Sequence, residues 1–117
     1  MRRDEQRLLD ILDALDSIAK MIEGRSELDF LDNEILCYAV AQRLTIVGEA
    51  AGRVSAELRE KYSAIPWADV VALRNILVHE YFGIHWPLVW QTAIDHAPNL
   101  HKQVREILSS EFPGQSS

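Results

Sequence analysis

The stretch DEQRLLDILDALDSIAKMIE, residues 4–23, decides the fold class. Leu8, Ile11, Leu12, Leu15, Ile18, Ala19 and Ile22 recur three and four residues apart, the apolar stripe of an amphipathic helix that buries one face. Gly24 follows as a natural stop. Asp10, Asp13 and Asp16 stand at three-residue intervals away from most of that stripe and read as a solvated face.

Working outward, residues 25–31 read as a short connector, with Asp32 as the N-cap of a second long helix that runs to about residue 53. Ile35, Leu36, Ala39, Val40, Val47 and Ala51 are available to its core face. The segment Ile46-Val47-Gly48-Glu49-Ala50-Ala51-Gly52 is rich in small residues, which let a neighbouring helix come close. Glu49 is the exception within it, either a surface carboxylate or a partner for a nearby arginine. Residues 55–62 suit a short helix. Pro66 sits well near the first turn of another helix over residues 67–81, with Val70, Val71, Leu73, Leu77 and Val78 as core candidates and Gly83 as a left-handed exit. A last helix spans residues 86–110, with a kink or break expected near 95–97 because Pro98 lies inside it. No β pattern and no internal repeat appears. The expected architecture is an all-α bundle of four to five helices forming one domain over residues 1–110, followed by a flexible tail at 111–117.

Composition narrows the function classes. The chain has 117 residues, of which 48% are hydrophobic and 26% charged, enough for one proper core. No apolar run approaches the roughly 18 residues needed to cross a bilayer. The N-terminus leads straight into the acidic amphipathic pattern rather than a signal peptide. A single cysteine, Cys37, cannot form an internal disulfide, and no Cys/His cluster has zinc-site spacing. These features imply a cytoplasmic protein with no structural metal. His85, His96 and His101 have no ligand spacing, and Trp67, Trp86 and Trp90 read as packing anchors. The net charge of −6 gives no general basic footprint for nucleic acid, and the arginines are scattered, so any phosphate binding must come from a local arrangement.

The chemistry is concentrated in Arg74-Asn75-Ile76-Leu77-Val78-His79-Glu80-Tyr81. Arginine is a permanent bidentate phosphate ligand, histidine carries protons near neutral pH, and tyrosine offers a modifiable hydroxyl. Cleaving RNA without a metal needs a base for the 2′-hydroxyl proton, an acid for the departing 5′-oxygen, and cations for the phosphorane. His79 can serve as base or acid, Arg74 can hold the phosphate, and Asn75 can orient His79 or bind a phosphate oxygen. On an ideal α-helix Arg74 and Tyr81 lie about 20° apart, but Arg74 and His79 about 140°. Three resolutions are open: a long arginine that reaches round, a distorted helix end before Gly83, or a second copy of the motif across a two-fold axis. From spacing alone the same residues also read as a satisfied histidine and a surface arginine.

The order Arg, four residues, His, one residue, Tyr resembles the signature of HEPN-type ribonucleases. Arg43-Leu44-Thr45-Ile46-Val47-Gly48-Glu49-Ala50-Ala51, Ile65-Pro66-Trp67 and Tyr81-Phe82-Gly83 extend the resemblance over most of the chain, to the HepT toxins of that superfamily. The resemblance implies an antiparallel HEPN bundle that forms a homodimer, with Arg74 and His79 lining a metal-independent RNase cleft and no cofactor. It also implies a toxin–antitoxin pair. The partner would be a MntA-type minimal nucleotidyltransferase that silences the toxin by adenylylating the motif tyrosine, here Tyr81. Asn75 and Glu49 would support the catalytic pair. Two other function classes fit the same residues: a non-catalytic helical adaptor for a nucleotidyltransferase, and a nucleotide-binding module.

Overall fold

The computed structural model describes residues 2–114, apart from the side chains at positions 2 and 79–82. Every regular element of the described backbone is helical, and none of its helices is long and apolar enough to cross a membrane.

The first amphipathic stripe forms α1 (Arg2–Ile22), with Leu8, Ile11, Leu15 and Ile18 buried. Gly24 then takes φ 72°. The expected connector is itself helical: α2 (Glu27–Leu31) is nucleated by a capping box. Ser26 Oγ accepts from Asp29 N at 3.1 Å, and Ser26 N donates to Asp29 Oδ2 at 2.9 Å, which lowers the Asp29 pKa. Asp32 therefore closes α2 rather than opening the next helix. The N-cap of α3 (Glu34–Gly52) is Asn33, whose Oδ1 accepts from Leu36 N at 3.0 Å. Starting the helix there turns Ile35 outward, to 84% exposure, where the sequence pattern offers it to the core.

Ser55 caps α4 (Ala56–Lys61) by accepting from Leu58 N. The same serine donates its hydroxyl and its backbone N–H to the buried carboxylate of Asp4, at 2.7 and 2.8 Å. That contact ties the start of α1 to the end of α3, so the two long helices run antiparallel. After α5 (Trp67–Ala72) the chain winds as a 3-10 helix over Leu73–Phe82, and Gly83 exits at φ 83°. α6 (Trp86–Gln91) passes through a π-helical turn, Thr92–His96, into α7 (Ala97–Glu111). The expected irregularity before Pro98 is this wide turn. Proline has no N–H for the carbonyl four residues back, so the chain re-registers by one residue instead of breaking.

α7 lies antiparallel to α1. His101 Nε2 meets Asp16 Oδ1 at 2.8 Å near one end. At the other end Glu111 Oε2 takes the Lys61 ammonium at 2.7 Å and the Tyr62 hydroxyl at 2.6 Å. These two donors hold the Glu111 carboxyl below its ordinary range, and the carboxylate in turn raises Lys61 and Tyr62. Helix α7 thus extends through the first residue of the expected tail, and Phe112 packs on the core; residues 115–117 lie outside those described. The tryptophans pack as anchors. Trp67 is buried with its Nε1 donating to the Tyr62 carbonyl, and Trp86 and Trp90 flank buried Phe30 at centroid distances of 6.3 and 5.3 Å.

Candidate functional site

The central helix α3 presents two different surfaces. Toward the core it offers Val40, Leu44 and Val47, all fully buried. Toward the motif segment it offers Gly48 and Gly52, and the chain from α5 into the 3-10 helix crosses there. A Cβ added at Gly48 would collide with the Arg74 backbone N and would come within 3.0 Å of both the Leu73 carbonyl carbon and the Val71 carbonyl oxygen. A Cβ at Gly52 would lie 3.3 Å from Arg74 Nη1 and 3.6 Å from Val71 Cγ1. The missing side chains and the narrow 3-10 winding act in the same direction. Both bring two backbones close, and both fix where Arg74 leaves the fold.

The winding also changes which motif positions share a face. At three residues per turn, positions 73, 76, 79 and 82 form one row, 74, 77 and 80 a second, and 75, 78 and 81 a third. Leu73 and Ile76 of the first row pack on the core, Leu77 is half-buried, and Arg74 and Asn75 are exposed. Val78, a core candidate by α-helical spacing, is 65% exposed for the same reason. Positions 74 and 81, which α geometry would stack, stand about 120° apart around the helix axis. Position 81 instead falls in the row of Asn75. Along this backbone the 3-10 winding still leaves positions 74 and 79 in different rows, about 120° apart around the axis. The His79 and Tyr81 side chains lie outside those described.

Glu49 follows Gly48 on α3 and is exposed. Among the described residues it has no salt-bridge partner. It lines a groove of about 670 Å³ between α1 and α3, together with Arg7, Arg43, Arg53, Asp10 and Asp13. Reading for catalytic groups missed this groove, although its signal is present. Arg7, Asp10, Ala14 and Ser17 on α1 are spaced three, four and three. Arg43, Ile46, Ala50 and Arg53 on α3 repeat that spacing. Each set is one stripe of its helix. The buried alanines, Ala14 and Ala50, bring the helices together at the groove floor, and the charged residues stand on its walls.

The remaining histidines gather around no common point. His101 is engaged by Asp16, and among the described residues no three His, Cys, Asp or Glu side chains cluster as metal ligands would. Cys37 is buried, its thiol donating to the Phe30 carbonyl at 3.1 Å, and burial raises its pKa. Tyr38 is half-exposed against the edge of Trp86.

Comparison with known proteins gives the family. The family model described as Ribonuclease HepT-like matches residues 11–107. A chain from Caldanaerobacter subterraneus subsp. tengcongensis, named as a candidate RNase, is 36% identical over 111 residues, covering 95% of this chain and 99% of its own. A similarly named chain from Methanocaldococcus jannaschii is 36% identical over 104 residues, 88% of this chain and 95% of that one. A candidate ribonuclease HepT from Thermococcus cleftensis is 29% identical over 99 residues, 85% of this chain and 90% of that one. No solved structure matches the chain. With the helical bundle, the matched span and these relatives together, the chain belongs to the HepT-like ribonuclease family of HEPN proteins.

Proposed function

We propose that this chain is an endoribonuclease that cuts RNA by attack of a ribose 2′-hydroxyl on the adjacent phosphodiester, without a metal. The observation that carries the reading is Arg74. Its backbone is clamped against Gly48, its side chain lies against Gly52, and its guanidinium stands exposed with no ion-pair partner among the described residues. A cation fixed in position and open to solvent suits an incoming phosphate. His79 takes the 2′-hydroxyl proton as the 2′-oxygen bonds to phosphorus. The bond from phosphorus to the 5′-oxygen breaks, and that oxygen leaves protonated by His79 or by its counterpart in a second copy. The products are a 2′,3′-cyclic phosphate and a 5′-hydroxyl. Asn75 orients His79 or a phosphate oxygen, and Glu49 supports the arginine cluster on α3.

The protein acts in this reading as a homodimeric toxin. Exposed Leu28, Leu31, Ile35 and Tyr38, gathered at the α2–α3 corner, support an interface there. A MntA-type nucleotidyltransferase restrains it by transferring AMP from ATP to the Tyr81 hydroxyl, with release of pyrophosphate. The modification adds an anion and a nucleoside to the same segment that carries Arg74, and so competes with RNA for that cation.

The test is RNA cleavage in chelator-containing buffer by purified protein whose Tyr81 is verified unmodified by mass. Arg74→Ala and His79→Ala should each reduce cleavage by about 10²-fold or more. Failure of the unmodified protein to cut bulk or transfer RNA overturns the enzyme reading in favour of a partner-binding adaptor.

A further inference from the structure

We infer that the cavity bordered by α5, α6 and α7 is a binding site for a nucleobase that carries an amino group. Its volume is about 460 Å³, within the range of small-ligand sites. Its walls are apolar. Exposed Pro66 and Leu88 and half-buried Leu73 line it, and buried Val70 and Leu100 close its floor. Asp69, Asn99 and Gln103 add three polar side chains to the lining, and none of these has a hydrogen bond or ion pair among the described residues.

The π-helical turn explains how the chain from α6 into α7 supplies so much of the wall. Leu88, Thr92, His96 and Leu100 all line the cavity at intervals of four residues. On a continuous α-helix each such step overshoots a full turn by about 40°, so the four positions would fan out over about 120°. The under-wound turn at Thr92–His96 takes back part of that drift and keeps the four on one side. Wide turns of this kind recur at functional sites.

The lining also selects the occupant. It contains no lysine or arginine, so a phosphate meets no cation there, in contrast to Arg74. A flat apolar body with hydrogen-bonding edges fits: a base can lie against Leu73 and Leu88 while its edge meets the polar groups. The Asp69 carboxylate only accepts, whereas the carboxamides of Asn99 and Gln103 both donate and accept. An exocyclic amine satisfies the carboxylate, and a neighbouring ring nitrogen takes a carboxamide N–H, the pattern by which amides read adenine. Uracil turns carbonyl oxygens to that edge and is disfavoured. Leu73 is the one residue of the 3-10 helix in the lining, so the site is tested by binding and not by cleavage.

The experiment titrates full-length protein, isotopically labelled at its leucine and valine methyls, with adenosine and with uridine, followed by methyl NMR. Adenosine should shift the Val70, Leu73, Leu88 and Leu100 methyls and bind about tenfold more tightly than uridine. Asp69→Ala should weaken adenosine about tenfold and bring the two nucleosides level. Gln103→Leu, on α7, reads the same edge should Asp69→Ala melt early, and it should weaken adenosine severalfold. The 2′-O-methylated oligonucleotide UUAUUU and its all-uridine control separate two sources of the base. Tighter binding of the adenine-bearing strand at the same methyls assigns the base to RNA, and binding of adenosine alone assigns it to a free nucleoside; either supports the site. Absence of adenosine binding, equal binding of uridine, or shifts confined to other methyls overturns it. Shifts of the same methyls on dilution of the ligand-free protein give the cavity to a second copy and overturn it too. A protein that binds adenosine here but cuts no RNA loses the nuclease reading alone.

Discussion

The two faces of α3 meet their neighbours by opposite means. Toward the core, contact is made through side chains: Val40, Leu44 and Val47, like Leu8, Ile11 and Ile18 of α1, are at most 1% exposed. Against the motif segment, Gly48 meets the backbone of Val71, Leu73 and Arg74, and Gly52 meets the ends of the Arg74 and Val71 side chains. A face packed by branched aliphatics can absorb a lost methyl by partial collapse, at an energetic cost. At Gly48 the face yields only if the main chain moves, because the atoms in contact there belong to it. The fold is therefore held by the first face, and the position of Arg74 is set by the second.

Four measurements test that contrast. The largest stability loss should come from Ile11→Ala in the α1 face, about 3 kcal/mol by denaturant unfolding, with cleavage per folded molecule unchanged. Gly48→Ala should cost about 2 kcal/mol, because the Arg74 and Val71 backbone must move. Unlike Ile11→Ala, it should also depress cleavage by the folded fraction; unchanged specific activity would show that the seam does not set the arginine. Gly52→Ala should cost less than about 1 kcal/mol, since the new methyl meets only the end of Arg74 and one Val71 methyl, both able to turn aside. The smallest effect lies away from both faces, at the contact between α4 and α7. Glu111 titrates below its ordinary range, so its contribution is complete above the usual carboxylate pKa near 4.3 and is lost as pH falls through the lower folded value. The wild-type Tm should therefore fall more steeply below about pH 4 than that of Glu111→Gln, and parallel curves would dismiss the contact as a stabiliser.

The elements that the sequence disclosed are those with strong local signals. The α1 stripe, the stops at Gly24 and Gly83, the Ser55 helix and the disturbance before Pro98 each follow from spacing or from one residue's backbone preference. The misplaced features depend on competition between neighbours. Asp32 and Asn33 are both good caps, and the Ser26–Asp29 capping box decides between them by ending α2 at Asp32. The burial of Asp4 was hidden because its partner, Ser55, is 51 residues away. Within the motif, the residue types suggested phosphate chemistry, but their arrangement depended on a winding that α-helical spacing does not anticipate.

By itself the sequence determined an all-helical chain, the approximate span of its long helices, and the eight residues in which arginine, asparagine, histidine and tyrosine concentrate. Periodicity and residue chemistry are local properties, so a one-dimensional string carries them in full. Tertiary structure decided that the motif runs as a 3-10 helix across two glycines. It also decided that Arg74 is placed by backbone contact, and that Arg7, Arg43 and Arg53 from two distant helices share one groove. These outcomes turn on which surfaces meet, and no residue specifies its neighbour across space until packing has chosen one.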